Sequence, residues 1–300
     1  MDTTRHDANG SSRSWLLALA ATTVAFSWPL IQLVRFALAR DLYSHVLLIP
    51  FVSGYFVWLL RSRLSSSGRP AYASAMVAGL ASLALVAADL FTAHAMPLRA
   101  DADALALTTG AFVCAVVAVT LWALGSARAR TLMFPLGFLV FMVPMPVWLT
   151  DRAETFLQYG SVAVASAMFS VAGTPVYHEG LIFHLPGISL EVAPECSGIH
   201  STLALLITAV LASRLFLRTW TARATLVALV VPLALLRNGF RVFTLGELCV
   251  HIGPHMIDSP IHHKGGPIFF VLSLIPFVIV LRLLMRFETK RGVELQPAHA

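Results

Sequence analysis

Charge is what this chain lacks most. Asp, Glu, Lys and Arg make up 12% of its 300 residues, about half the share of an ordinary soluble domain. So few charges cannot clothe a water-facing surface, which excludes a soluble globular protein. Cysteine is scarce too. Cys114, Cys196 and Cys249 are the only three, too few and too scattered for a disulfide framework. No CxxC pair and no HExxH occurs, so nothing in the sequence supports a metal site, and no cofactor is expected. The net charge of +6 is not a nucleic-acid signal, because the basic residues fall in short loops between apolar runs.

What is present is hydrophobic: 58% of the chain, in blocks of about 20 residues. That length crosses the roughly 30 Å hydrocarbon core of a bilayer as a helix. The pattern predicts an all-α polytopic membrane protein with eight spans, near 15–36, 46–61, 71–91, 103–124, 131–149, 197–215, 224–243 and 266–285. The first run, from Trp15, is too long for the core of a cleaved signal and reads as a span. Residues 152–172 are moderately apolar and read as a non-spanning extracytoplasmic amphipathic helix. The Gly- and Pro-bearing stretch GTPVYHEGLIFHLPGISLEVAPE, 173–195, then reads as a β-hairpin before span six. The expected organisation is a polar head, 1–14, one membrane domain, 15–286, with its chemistry near 190–270, and a charged tail, 287–300.

Charge placement gives orientation. With eight spans, the head, the loop at 61–69, Arg128 and Arg130, the loop at 214–223 and the C-terminal end share one side. That side carries 14 of the 21 Lys and Arg residues but four of the 15 acids. The positive-inside rule puts it, with both termini, in the cytoplasm. Cys196 then opens span six on the extracytoplasmic side of the plasma membrane. Arg241 closes span seven there, and His262 and His263 precede span eight there.

These residue types suit covalent chemistry. A thiolate is the nucleophilic form of cysteine, and the first turn of a helix favours an anion. In EVAPECSGIHSTLALL, 191–206, Cys196 is expected in that turn, as a nucleophile or as a buried structural thiol. Cys114, inside span four, reads as structural. Cys249, near His251, is a weaker rival nucleophile. LLRNGFRV sets Arg237 and Arg241 four apart, on one helical face. Arg241 lies roughly 27 Å along the helix from Arg223, near the outer boundary, with Arg237 about one turn deeper. An arginine there either snorkels to the headgroups or is functional, and its rigid fork of donors suits an oxyanion or a carboxylate. In HHKGGP, His262 or His263 can move a proton near neutral pH. His200 competes, because four residues past Cys196 it shares a face of a continuous helix. Glu195 is placed to orient a histidine or to stay solvated. Asn238 and Gly239 shape the helix near Arg241.

Five elements in order resemble the exosortase/archaeosortase family of integral-membrane cysteine transpeptidases, over about 40–285. They are YSHVLLIP (43–50), FPLGFLVFMVPMP (134–146), ECSGI (195–199), NGFRV (238–242) and IHHKGGPIFF (261–270). In the last, Pro267 stands where an aromatic often follows the glycine, here Gly266. The resemblance implies Cys196 as nucleophile, Arg241 as oxyanion or substrate stabiliser and His262 as general acid/base. His263, His200, Glu195, Asn238, Arg237 and His45 are secondary candidates. It also implies a substrate: exported proteins with a C-terminal sorting signal, made of a short motif such as Pro-Glu-Pro, a transmembrane helix and a basic cluster. Cleavage through a thioester would transfer the new carboxyl end to a surface acceptor, a polysaccharide or a lipid, often alongside exopolysaccharide production. A membrane acyltransferase acting in exopolysaccharide or lipid modification through the same thiol is the alternative. A transporter fits less well: no internal repeat is visible, and the polar residues gather at one face. A purely structural subunit is the third rival.

Overall fold

The computed structural model describes residues 3–62, 71–96, 98–259 and 266–290. Eleven helices are described: α1 (Thr3–Ala25), α2 (Ser27–Ala39), α3 (Ile49–Leu60), α4 (Tyr72–Ala95), α5 (Asp101–Thr131), α6 (Met133–Phe138), α7 (Val147–Ala172), α8 (Ile199–Phe216), α9 (Trp220–Ala228), α10 (Val230–His251) and α11 (Gly266–Lys290). Seven stretches are long and apolar enough to cross a membrane: Asp41–Leu60, α4, α5, α7, α8, Trp220–His251 and α11. The pair Ser14–Ala25 and Ser27–Ala39, bent by 67°, makes an eighth if it counts as one span. The chain is an all-α polytopic membrane protein.

Two spans differ from the sequence expectation. Residues 131–149 do not form one long helix. The short α6 runs into a 3₁₀ turn at Leu139–Met142, and Val143 leaves it in an extended conformation. Pro144 explains the exit, because its ring disfavours helical geometry in the residue before it. Conversely, 152–172, expected not to span, belongs to α7, 26 residues long and apolar enough to cross. Its moderate apolarity had left it outside the eight expected spans, yet even the polar Gln158 in its N-terminal half is buried. With the bent pair counted as one span, the exchange leaves five spans ahead of Cys196, the number expected from the sequence. The expected hairpin is a three-stranded antiparallel meander, β1 (Tyr177–Glu179), β2 (Ile182–Leu185) and β3 (Ile188–Glu191). Its alternation follows the strand period of two: Phe183 and Leu185 are buried while His184 is exposed, and Phe183 faces Leu190 in register.

The chain forms two compact units, 1–149 and 150–300. In the first, several polar groups buried among apolar helices find partners within the unit, as a membrane interior favours. Trp15 Nε1 donates to Thr120 Oγ1 at 3.2 Å, and Ser53 Oγ to the Pro135 carbonyl at 3.0 Å. Tyr43 donates its hydroxyl to the Met145 carbonyl at 3.3 Å. That last bond joins segments 43–50 and 134–146, two of the elements that carry the family resemblance.

The second unit has two apolar clusters. One unites Val162, Ala165 and Phe169 of α7 with Phe183 and Leu190 of the sheet and Val242 and Leu245 of α10. The other joins Leu205 and Ala209 of α8, Leu226 of α9, and Phe277 and Leu281 of α11. α7 and α10 approach closely at Gly239, where a Cβ would lie 2.5 Å from Val164 Cγ1 and 3.2 Å from the Ala165 nitrogen. Small residues at such crossings let membrane helices touch.

Glu288, buried near the end of α11, ties that helix to the α8–α9 turn. Its carboxylate accepts from the backbone nitrogens of Arg218 (3.1 Å) and Thr219 (2.8 Å) and from the Thr219 hydroxyl (2.5 Å). Hydrogen bonds to a charged group are worth about 1.5–3 kcal/mol each, and losing the acceptor strands the buried donors. Glu288→Ala should therefore lower the thermal midpoint of the detergent-solubilised protein, and Glu288→Gln, which keeps one acceptor oxygen, should lower it less.

Candidate active site

The segment between β3 and α8 is not the simple helix start expected from its sequence. Pro194–Cys196 forms a single turn of 3₁₀ helix, closed by the Cys196 N–H donating to the Ala193 carbonyl at 2.8 Å. Gly198 then takes a left-handed conformation, φ +75°, and α8 begins only at Ile199. Cys196 is thus ahead of the first turn of span six rather than in it. The i, i+4 relation to His200 assumed a continuous helix, which this break removes. His200 is exposed in the first turn of α8, and Glu195 occupies the middle of the 3₁₀ turn.

Two adjacent residues of α10 clamp the cysteine loop. Arg237 Nη2 donates to the Gly198 carbonyl at 3.0 Å and to Thr202 Oγ1 at 3.3 Å. Asn238 Nδ2 donates to the Cys196 carbonyl at 2.7 Å and to Ser161 Oγ at 2.9 Å, so both of its N–H groups are used. α7 braces the same loop. Gln158 Nε2 donates to the Val192 carbonyl at 2.7 Å, and Ser161 passes its own proton to the Leu157 carbonyl at 2.6 Å. Asn238 is 2% exposed and Arg237 8%. Hydrogen bonds in so dry a place are strong, and a connected network of them favours one geometry.

Gly198 is required twice over. Its backbone is in a region that L side chains avoid at about 1–2 kcal/mol. A Cβ there would also lie 2.8 Å from Arg237 Nη2 and 3.0 Å from Asn238 Oδ1. Gly198→Ala should push both clamping residues aside and cut activity at least about ten-fold, on the energy scale of strain at a functional backbone position. Turnover normalised to membrane-inserted protein measures it.

The clamp holds Cys196 beside Arg241. Both are half-buried, and both line one cavity of about 20 Å³, closed by Leu190, Glu191, Val192, Val242 and Leu245. That is room for about one water, so a peptide bond enters only if the cavity widens. His262 and His263 lie outside the described residues. His45 belongs to the first unit, in a 3₁₀ turn at Asp41–Leu47, where its Nδ1 donates to the Leu42 carbonyl at 3.1 Å. Cys249 is 3% exposed, buried with Phe169 and Leu245, and its neighbour His251 instead meets Glu247 at 3.0 Å. Cys114 lies half-buried within α5. Among the described residues, no group of three His, Cys, Asp or Glu side chains is placed to hold a metal.

Sequence reasoning missed Gln158, Ser161 and Thr202. A trace was there: Gln158 and Ser161 are three apart, on one face of a helix, and polar residues buried in a span are expensive enough to suggest a purpose.

Fold and site together define a multi-pass membrane protein that holds a cysteine-bearing loop against one of its own spans. Residues 37–279 match the family model described as transmembrane exosortase. The chain belongs to that family, whose members are membrane cysteine transpeptidases acting on sorting signals. No curated protein and no solved structure matches the chain.

Proposed function

We propose that this exosortase cleaves a C-terminal sorting signal on exported proteins and transfers them to a cell-surface acceptor, with Cys196, Arg241 and His262 as its reacting groups. The Cys196 thiolate attacks the scissile carbonyl carbon. The oxyanion that forms is stabilised by Arg241, whose fork of donors suits it. The C–N bond breaks, His262 protonates the departing amine, and an acyl thioester remains. His262 then takes a proton from the acceptor's amine or hydroxyl, which attacks the thioester and releases the thiolate. His263 and His200 are the substitutes for the base.

The single observation that carries this reading is that Cys196 and Arg241, 45 positions apart in the sequence, line one cavity. The length of span seven supports an extracytoplasmic site. From Trp220 to Arg241 is about 32 Å of helix, one hydrocarbon thickness, and beyond it α10 packs on the sheet through Val242 and Leu245. With five spans ahead of Cys196 and basic loops inside, both termini are cytoplasmic. The reaction belongs to the region near 190–270 within one membrane domain, 15–286.

Trapping the intermediate tests the proposal. The protein is co-expressed with a secreted reporter ending in Pro-Glu-Pro, an apolar helix and an Arg cluster. A hydroxylamine-labile peptide adduct on Cys196, seen by mass spectrometry, is the expected result. A fatty-acyl adduct on the same sulfur, with the reporter uncut, points instead to the acyltransferase.

A further inference from the structure

The strand β3 is paired on one side only. The sheet order is β1–β2–β3, so β3 is an edge. Register decides which of its backbone groups face outward. Partners in an antiparallel ladder alternate between pairs that exchange hydrogen bonds and pairs that do not. Ile188 meets Leu185 across the two-residue turn Pro186–Gly187, and the Val192 N–H donates to the Leu181 carbonyl at 2.9 Å. Ile188, Leu190 and Val192 therefore turn their N–H and C=O groups toward β2, while Ser189 and Glu191, between them, turn theirs away. No described residue bonds those four outward groups. Ser189 and Glu191 are both exposed, so β3 presents two donors and two acceptors at the strand period of two.

An extended peptide matches that array. Its backbone repeats a donor and an acceptor on each side at every second residue, about 6.8 Å apart. Adding a strand to an open edge is a common way of holding a peptide. A lipid chain or a folded helix offers no such row. The edge also leads to the thiol. Leu190, Glu191 and Val192 line the cavity that Cys196 and Arg241 share, whereas no residue of β1, the opposite edge, lines it. Four residues, 192–195, join β3 to Cys196. Gln158 holds the Val192 carbonyl at one end of this link and Asn238 the Cys196 carbonyl at the other, each at 2.7 Å. A chain in register with β3 is thereby in register with the sulfur, the positioning that makes an attack effectively intramolecular.

We infer that the free edge of β3 receives the exported protein as a fourth strand, and that this backbone pairing carries the scissile carbonyl to Cys196. The residues that pair are the extended ones leading up to the scissile bond. The inference rests on the sorting reading above and names how its substrate is gripped.

Two measurements on the full-length protein test it. In the first, Ser189→Pro removes one outward N–H and leaves the β2–β3 bonds intact, because proline is tolerated where an edge N–H faces solvent. Ser189→Ala, which keeps the N–H, is its reference, since both variants lose the hydroxyl that meets His184 Nδ1 at 3.0 Å. For cleavage of the Pro-Glu-Pro reporter, KM of Ser189→Pro should stand about five-fold above that of Ser189→Ala at similar kcat, the worth of one hydrogen bond. Equal KM values at equal thermal midpoints overturn the inference. If the proline variant melts early, the second measurement decides. Here the protein carries Cys196→Ala with Ser189→Cys, or with Tyr177→Cys at the opposite edge. The reporter carries a single cysteine at each of about eight positions ahead of Pro-Glu-Pro in turn, enough to show a period of two. Disulfides from 189 at alternate reporter positions, about five-fold or more above the intervening ones and above all those from 177, are expected. Absence of alternation, equal yields from 189 and 177, or disulfide dimers of the enzyme in place of reporter adducts overturns the inference, the last in favour of a second copy at the edge. Wild-type protein that still cuts the reporter leaves the sorting reading standing when the edge fails. A reporter left uncut tells against the sorting reading, and one that also forms no disulfide ends both.

Discussion

Cys196→Ala abolishes cleavage of a sorting-signal reporter while the protein remains folded in the membrane. The loss should be about 10⁴-fold or more, the scale on which removing a covalent nucleophile acts elsewhere. The fold survives because the loop is held through backbone carbonyls. Asn238 bonds to the Cys196 carbonyl and Arg237 to that of Gly198, and neither bond involves the sulfur. Thermal midpoint and membrane yield should therefore stay near wild type, which separates a lost nucleophile from a lost structure. Cys196→Ser should be almost as inactive, because a hydroxyl is a far weaker nucleophile than a thiol at its ordinary acidity. Cys114→Ala and Cys249→Ala are the controls: Cys249 is buried in an apolar cluster, so its replacement should cost stability before it costs turnover. Normal processing by Cys196→Ala would end the nucleophile assignment.

The sequence was a good guide wherever the physics is local or periodic. Apolar runs of membrane length mark spans because hydrocarbon thickness sets their length, and the four-residue spacing of Arg237 and Arg241 marks a helical face. It was a poor guide where a break competes with hydropathy. A window of apolar residues sees 131–149 as continuous, whereas Pro144 and Pro146 end the helix there and α7 takes over the crossing. Gly198 is the same lesson at smaller scale. One left-handed residue moves the start of α8 past Cys196, which changes what the thiol can share with His200. The clamp was invisible for another reason. Ser161 meets Asn238 across 77 positions, and Gln158 meets Val192 across 34. No pattern within either segment encodes such a pairing, and it follows only once α7 is known to pack on α10.

Arg241→Lys is the sharper test of the chemistry, because it keeps the positive charge and removes the fork. If Arg241 acts as a point charge that merely favours the thiolate, lysine preserves most of the rate. If it meets the oxyanion with aligned N–H donors, turnover falls about 10²–10³-fold, the usual cost of one missing oxyanion donor. The second result is expected, since a guanidinium and an ammonium are not interchangeable at a site of fixed geometry. The kinetic form of the loss decides the role further. A fall in kcat at unchanged KM marks an interaction made only in the transition state, whereas a rise in KM alone marks grip on the bound substrate. Arg237→Lys supplies the contrast from one turn away. Its Nη2 bonds hold Gly198 and Thr202, so that variant should lose thermal stability along with rate, while Arg241→Lys, half-buried beside the thiol cavity, should lose rate with its melting midpoint nearly unchanged. If Arg241→Lys proves as fast as wild type, the oxyanion role has to pass to another donor of the cysteine loop.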